Sequence, residues 1–436
     1  MSEQTVIWDL IIIGGGASGM SAAVSYQKMH QDRLGSFGKV LILEKNDRVG
    51  KKILASGNGR CNLSNHDMAM THYHSHQVTW VESVFRLIDS ESVLTFLSDI
   101  GIPIASEGNK IFPMSKNSAS VVDAFRFALK ECEVSLESDC EVDRIDKESD
   151  LFHIYSKDAN EYSARHIIIS CGGACAPNLG TTGDGYKWLS QFGHKVYSPK
   201  PSIVQLVTDN SVTKTLSGLK LDCDLSLNSN DMLLAHQYGE VLFTDYGLSG
   251  PAVLQVSGVV SRHNRKNGLA IPMTISLKLF NDEDLRSIRA EIGRRISVWG
   301  ERTLDQLLIG ILPGKISSML LKTALARPLS ILIATLSNED IEKIVRTLKA
   351  WKFEVLGTKS LEFAQTTIGG AEVNEFSPET LESKIVPGLY ACGEVLDVDG
   401  DCGGYNLTWA FASGILAGRS LALHAEDEHM EGEHAE

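Results

Sequence analysis

Gly14, Gly16 and Gly19 stand at the spacing G-x-G-x-x-G, with Gly15, Ala17 and Ser18 between them. That pattern can hold a pyrophosphate. The first glycine permits a tight turn, the second lets backbone approach the phosphates, and the third lets a helix pack on a strand. Amides at the helix start then face the negative charge. A glycine-rich loop alone would be weak evidence, but here its flanks agree with it. Val6–Ile13 is a β-branched, almost continuously apolar run, as a parallel strand buried on both faces requires. From Ala17 to about Gln31 the chain is rich in helix formers. A second strand-like run, Lys39–Leu43, ends in Glu44, where a carboxylate can accept hydrogen bonds from both ribose hydroxyls. Glu44 falls 25 residues beyond Gly19, which predicts an extended loop over Asp32–Gly38.

This fingerprint does not separate FAD from NAD; the next segment does. Arg48–Asn62 places Lys51, Lys52 and a glycine-broken polar loop just after the ribose-binding acid. The amides and Asn side chains of such a loop suit a flavin edge better than a nicotinamide alone. The chain has no second dinucleotide fingerprint, so NAD(P)H is expected only as a transient co-substrate at the flavin face.

Gly50–Asn65 reads G-K-K-I-L-A-S-G-N-G-R-C-N-L-S-N, and here the sequence resembles a family of bacterial NAD(P)/FAD-dependent oxidoreductases. That family includes aminoacetone oxidase and the BaiN-like and YhiN-like flavoproteins. Three further stretches support the likeness. Ile167–Gly173 resembles the strand ending in Gly-Gly that closes over the flavin in glutathione-reductase-like folds, and Thr181–Tyr186 the T-G-D-G helix start of fumarate-reductase-type flavoproteins. Pro387–Gly400, leading into Gly403–Leu407 and a helix from Trp409, resembles the second flavin fingerprint, with Glu394 in place of the commoner Asp. Asn58 replaces a common glycine, and Cys402 falls where threonine is frequent.

Carried over by position, the resemblance implies that Gly14, Gly16, Ala17, Ser18 and Gly19 meet the pyrophosphate. Glu44 and Lys45 would hold the adenosine, with Lys51 and Lys52 beside it and Val142 giving backbone contacts to the adenine. Ser56, Gly57, Asn58, Gly59, Arg60, Cys61 and Asn62 would line the flavin side, with Gly172 and Gly173 closing over it. Gly393 and Glu394 would lie near the ribityl-phosphate; Asn406 and Leu407 would stand at a helix start, where the Leu407 amide meets the isoalloxazine. The positive end of a helix there would stabilise the anion of reduced flavin.

The implied fold class is α/β: a Rossmann-like, glutathione-reductase-like FAD domain with an inserted β-barrel-like subdomain and a small helical subdomain. Residues 1–193 form its first part, with a helix over Ser118–Cys132 and a meander over Cys140–Ile145, Leu151–Tyr155 and Glu161–Ser170. Residues 194–281 carry short β-like runs such as Ser202–Val207, Leu219–Leu227 and Ile271–Phe280. Residues 282–352 turn helical, with Asp284–Ile296, Thr303–Ile311 and Asn338–Ala350 as candidates and a capping signal at Ser337–Asp340. Residues 353–424 return to the FAD domain through a strand over Phe353–Thr367, and 425–436 read as a disordered acidic tail.

The charge is −14, from 41 basic and 55 acidic residues, which argues against a nucleic-acid surface. The first residues carry no base, and no stretch approaches the roughly 20 apolar residues of a membrane span, so a cytoplasmic protein without a membrane partner is expected. Eight scattered cysteines form no CxxC pair; Cys171 and Cys175 read as inert packing, with Cys61 slightly more suspect. His72, His74 and His76 alternate, but no acids cluster with them, so an exposed loop is expected rather than a metal site. The glycine-dense stretch Gly239–Pro251 fits close backbone approach to a ligand or plain turn chemistry equally well. The expected activity is hydride transfer between a small organic substrate and flavin N5, as an oxidase or an NAD(P)H-dependent reductase. Arg60, Asn62 and Tyr405 are candidate neighbours of the ring, with no acid or base assigned. The rival is a flavin-binding sensor or tRNA-modification factor without redox turnover of its own, and the oligomeric state is left open.

Overall fold

The computed structural model describes residues 6–433 apart from Asp231, Lys266, Asn267 and Ala270. Two compact units result: residues 1–200 with 365–436, and residues 201–364.

In the first unit, strand β1 (Ile7–Ile13) lies inside a seven-stranded sheet, and its Leu10, Ile11 and Ile12 are fully buried. It pairs in parallel with β2 (Val40–Leu43) on one side and with Glu161–Ile169 on the other. Ser135–Glu137 continues the sheet beyond β2, and Leu389–Ala391 adds in parallel to Glu161–Ile169. An antiparallel meander of Val142–Glu148 and Leu151–Ser156 completes it. Helix α1 (Ala17–Leu34) stops at Gly35, which adopts φ 74°. The helix thus covers part of the loop expected over Asp32–Gly38, and Gln27 clasps Gly38 through both its amide atoms.

A helix over Tyr405–Glu433 crosses α1 with two glycines at the contact. Gly414 and Gly418 lie one turn apart, and a Cβ on either would overlap a carbonyl oxygen, of Ser18 or of Ala22. Interaxial distance follows the size of the side chains at a crossing, so two glycines bring the backbones together. The helix extends into the segment expected to be a disordered tail; residues 434–436 lie outside the described residues. Helices over Val78–Leu87 and Ser90–Asp99, which carry none of the motifs, also pack in this unit.

The second unit holds a closed antiparallel barrel of six strands. In order these are Leu206–Thr208, Gly247–Ser249, Met232–Phe243, Lys220–Ser229, Met273–Lys278 and Trp351–Thr358. The last strand corrects the expected return over Phe353–Thr367. Trp351, Phe353 and Val355 alternate into the barrel core, so this strand closes the barrel, and only Thr366–Ala371 belongs to the first unit. A helix, Pro251–His263, stands where β-like runs were expected. Its Val253, Val256 and Val260 are buried, and proline suits a first helical position because it lacks the N–H that would go unused there. The glycines before it serve the barrel: a Cβ on Gly247 would overlap Leu206 O, and one on Gly250 would come within 2.6 Å of Glu240 O.

Helices Asp282–Val298, Gly314–Leu325 and Asn338–Lys349 share one apolar core with the barrel. The helix expected over Thr303–Ile311 is only a short turn, Leu304–Gln306, and Gly314–Leu325 takes its place. At Asn338–Lys349 the predicted capping box forms, with Ser337 Oγ accepting from Asp340 N at 3.2 Å.

Ser337→Ala is expected to cost about 1 kcal/mol in urea unfolding, the usual worth of an N-cap. Gly414→Val drives α1 and its partner helix apart and is expected to cost about 3 kcal/mol, at the upper end for overpacking, with a lowered thermal midpoint as readout.

Candidate functional site

The turn between β1 and α1 is built by exclusion. Gly14 has φ 107°, and a Cβ there would fall 2.7 Å from Cys171 Cα; a Cβ on Gly19 would overlap Gly14 O. Gly16 differs, because a Cβ there would meet only Ser170 O, at 3.9 Å. The turn is closed against the sheet and open at Gly16. Among the described residues no side chain caps α1, and its first turn holds no acid. Its leading amides are therefore left for an anion.

Glu44 is buried at the end of β2. Its Oε2 accepts from Gly15 N at 2.9 Å, and Oε1 accepts from Asn46 N at 2.8 Å and Asn46 Nδ2 at 2.6 Å. Cys140 N donates to Glu44 O at 2.9 Å, bringing the strand that starts at Val142 to this end of the sheet. Lys45 reaches Thr182 and Asp184 at 2.5 and 2.9 Å, and Lys51 pairs with Asp47 at 2.9 Å.

The segment read as a loop begins as a short helix, Lys51–Ala55, followed by a tight turn over Ser56–Gly59. Gly57, Asn58 and Cys61 all have φ near 56°, so Asn58 accepts the left-handed backbone that a glycine would take without strain. Ser56 Oγ donates back to Ile53 O at 2.6 Å. Asn62 Oδ1 is buried with no hydrogen-bond partner among the described residues, a costly state that a ligand N–H would relieve. Arg60 is drawn away, to Glu107 at 2.6 Å and over the Phe112 ring at 4.4 Å. Burial pushes the Cys61 thiol up to about 11, so it is not a thiolate at neutral pH.

The second fingerprint meets the first at Ser18. A Cβ on Gly393 would come 2.5 Å from Ser18 Oγ, and the Gly393 amide donates to Ser413 Oγ at 2.9 Å. Next to it, Glu394 Oε2 lies 2.5 Å from Lys52 Nζ, and Oε1 accepts from Thr367 N at 2.8 Å. Gly173 gives Glu394 room, since a Cβ there would sit 2.7 Å from Oε1; Gly172, at φ 76°, faces Thr181. Burial alone would raise the Glu394 carboxyl, but the Lys52 ammonium together with hydrogen bonds from Thr367 and Cys175 outweighs it and holds it below the ordinary range. Burial likewise pushes Cys175 up to about 11 and Cys171 to about 12, and no disulfide joins any of the eight cysteines. Asn406 spends its side chain on the loop before it: Nδ2 donates to Gly400 O at 2.8 Å, and Oδ1 accepts from Gly400 N at 2.9 Å. Leu407 packs partly buried in the first turn of its helix.

The segment expected to be an exposed loop around His72, His74 and His76 is in part a paired strand. Tyr73–His74 pairs with Asp399–Gly400, and that strand brings Asp397 and Asp401 to the histidines from far along the chain. His72 and His74 both bond Asp401, at 3.0 and 2.9 Å, and His76 bonds the buried Asp397 at 2.7 Å. Local sequence held no sign of these pairs. No group of three residues suited to a metal ion occurs among the described residues.

The donor set fits a dinucleotide. An uncapped helix start beside an open glycine suits the pyrophosphate, a fixed carboxylate suits a ribose, and the orphaned Asn62 oxygen suits a ring N–H such as an isoalloxazine carries. Fold and site together define a flavin-dependent oxidoreductase on a Rossmann-type domain. The chain belongs to the family described as "HI0933-like protein Rossmann domain", which it matches over residues 8–420. It is 33% identical over 413 residues to a 3-dehydro-bile acid delta(4,6)-reductase of Clostridium scindens, covering 94% of this chain and 98% of that protein. It is 28% identical over 422 residues to a ribosomal RNA dihydrouridine synthase of Haemophilus influenzae, covering 94% and 98%. Among solved structures, a 3-ketosteroid delta1-dehydrogenase of Sterolibacterium denitrificans shares the fold at TM-score 0.50 and 13% identity, covering 96% of this chain and all of that one.

Because the Glu394 carboxyl is depressed when folded, its contribution is present above the unfolded value of about 4.3 and lost as pH falls through the folded one. The urea midpoint of the flavin-free protein should drop more steeply below about pH 4.3 in the parent than in Glu394→Gln. Parallel curves would mean that Lys52 does not stabilise the charge.

Proposed function

We propose that this chain is an NAD(P)H-dependent reductase that saturates a carbon–carbon double bond conjugated to a carbonyl in a small organic substrate. The observation that carries this reading is a single cofactor site. The Gly14–Gly19 turn is completed by Gly393–Glu394, and no second nucleotide fingerprint exists in the chain. On this reading a nicotinamide donor visits the flavin transiently rather than binding in a nucleotide domain of its own. Bound FAD supplies the hydride chemistry.

The chain's own residues supply position and electrostatics. The α1 amides and Gly16 face the pyrophosphate, Glu44 the adenosine ribose, and Lys52 keeps Glu394 charged at the ribityl side. Asn62 accepts from the ring, and the start of the Tyr405 helix, with the Leu407 amide, favours negative charge on the ring's pyrimidine edge. The relatives' names support the reaction class. A Δ4,6-reduction of a 3-dehydro steroid and the formation of dihydrouridine both add hydrogen across a ring double bond conjugated with a carbonyl.

A second reading, uridine in ribosomal RNA as the substrate, is favoured by the dihydrouridine synthase relatives at 28% and 27% identity. It bears directly on the charge argument against a nucleic-acid partner. The segment 282–350 holds eleven Lys and Arg against nine Asp and Glu, so the overall −14 does not describe every surface.

The test is anaerobic. The yellow protein should bleach with NADPH or NADH and recover its colour on addition of a 4-en-3-one steroid, with the saturated ketone as product. Recovery with unmodified ribosomal RNA instead, with dihydrouridine formed, would transfer the proposal to the second reading. A protein that retains no flavin, or that only a substrate amine bleaches, would overturn both.

A further inference from the structure

His72 is held at both ring nitrogens by carboxylates. Nδ1 lies 3.0 Å from Asp401 Oδ2, and Nε2 lies 3.2 Å from Asp67 Oδ2. A neutral imidazole has one N–H, so one of its nitrogens would point a lone pair at a carboxylate oxygen; only the imidazolium satisfies both contacts. The other oxygen of Asp401 is occupied by His74 Nε2, at 2.9 Å, which prevents it from turning away. The His72 ring also lies flat on Tyr405, with centroids 4.5 Å apart and planes 18° from parallel. Tyr405 opens the long helix of the second fingerprint, and Asn406 ties that helix start to Gly400 and to the carbonyl of Asp401. The imidazole is thus fixed to the helix start by a ring stack, by an ion pair and by the pairing of Tyr73–His74 with Asp399–Gly400.

Two carboxylates stand beside a helix N-terminus, where they work against any anion seated on its first turn. Asp67, Asp401, His74, Tyr73, Tyr405, Cys402 and Lys110 are titratable groups around this point. Among the described residues, His72 bridges both acids.

We propose that His72 is a positioning residue for the flavin: held as an imidazolium between Asp67 and Asp401, it cancels carboxylate charge at the Tyr405 helix start and so favours the anionic, reduced state of a ring bound there. This rests on the placement of the pyrimidine edge under Proposed function. Burial lowers the His72 pKa, but its bonds to Asp401 and Asp67 outweigh that and raise it above the ordinary histidine value. The charge is therefore complete below the unfolded value of about 6.5 and is lost as pH rises through the folded one.

The test compares the midpoint potential of bound flavin in the parent, His72→Gln and His72→Lys from about pH 6 to about pH 9, a span that brackets an ordinary and a raised histidine. His72→Gln should lower the potential by a tenfold change in relative stabilisation, about 30 mV for a two-electron couple. His72→Lys, which keeps the charge without the double clamp, should recover most of it. The parent's potential should fall more steeply where the ring titrates. Ring nitrogen resonances of flavin-free parent protein provide a readout that needs no variant: both nitrogens should be protonated near neutral pH. A neutral His72, or potentials unchanged in His72→Gln with flavin still bound and turning over, would overturn the inference alone. A parent protein without flavin would sink the reading of function, while the ring resonances would still decide the charge.

Discussion

Ser18 has no spare room. Its carbonyl oxygen lies against Gly414 and its hydroxyl against Gly393, so helix α1, the second fingerprint and the Tyr405 helix converge on one residue of the first fingerprint. Larger side chains at Gly414 or Gly393 would separate them, and a larger one at Gly19 would push α1 off the Gly14 carbonyl. Most of the site's order follows. Once α1 is pressed against its partner helix, its uncapped start faces the open side of Gly16, and Gly15 N meets Glu44.

Charge is managed pair by pair within this arrangement. Glu44 is held by backbone and amide donors, Glu394 is paired with Lys52, and Asp401 is bonded by two histidines. Buried carboxylates without such partners would rise in pKa and lose their charge. Each of these acids lies where a cofactor reading calls for fixed polarity, and none draws its partner from the general acidity of the chain. A net charge of −14 consequently says little about the potential inside the site.

What could be read from the residues followed from how local the physics is. The Gly14–Gly19 turn, the flanking strands, Glu44 and the Ser337 cap depend on neighbours in sequence, and their spacing exposes them. Trp351–Thr358 could not be placed, because a strand alternating apolar and charged residues fits an edge of the first unit or a closed barrel equally well. The helix Pro251–His263 was hidden by the valines it shares with strands, although its leading proline and its Val253, Val256, Val260 spacing were available. The His72 clamp had no local signature, since its second acid comes from a strand more than 320 residues away. Asn406 and Arg60 show the reverse: the right residue types in the right motif, with their polar atoms given to protein partners.

The discontinuity of the first unit also sets an order of events on the ribosome. At about 5–20 residues per second, the Gly14–Gly19 segment waits roughly 20–80 s after its own synthesis before Gly393 and Gly414 emerge. Throughout that interval α1 lacks the helix that covers its Ser18–Ala22 face, and β1 lacks the help of Leu389–Ala391 at the far side of Glu161–Ile169. Residues 201–364 hold all six barrel strands and the helices that pack on them within one stretch, so they can condense while the earlier half is still incomplete. The inserted portion can therefore be complete while the first unit still waits for Gly393 and Gly414 to close on Ser18.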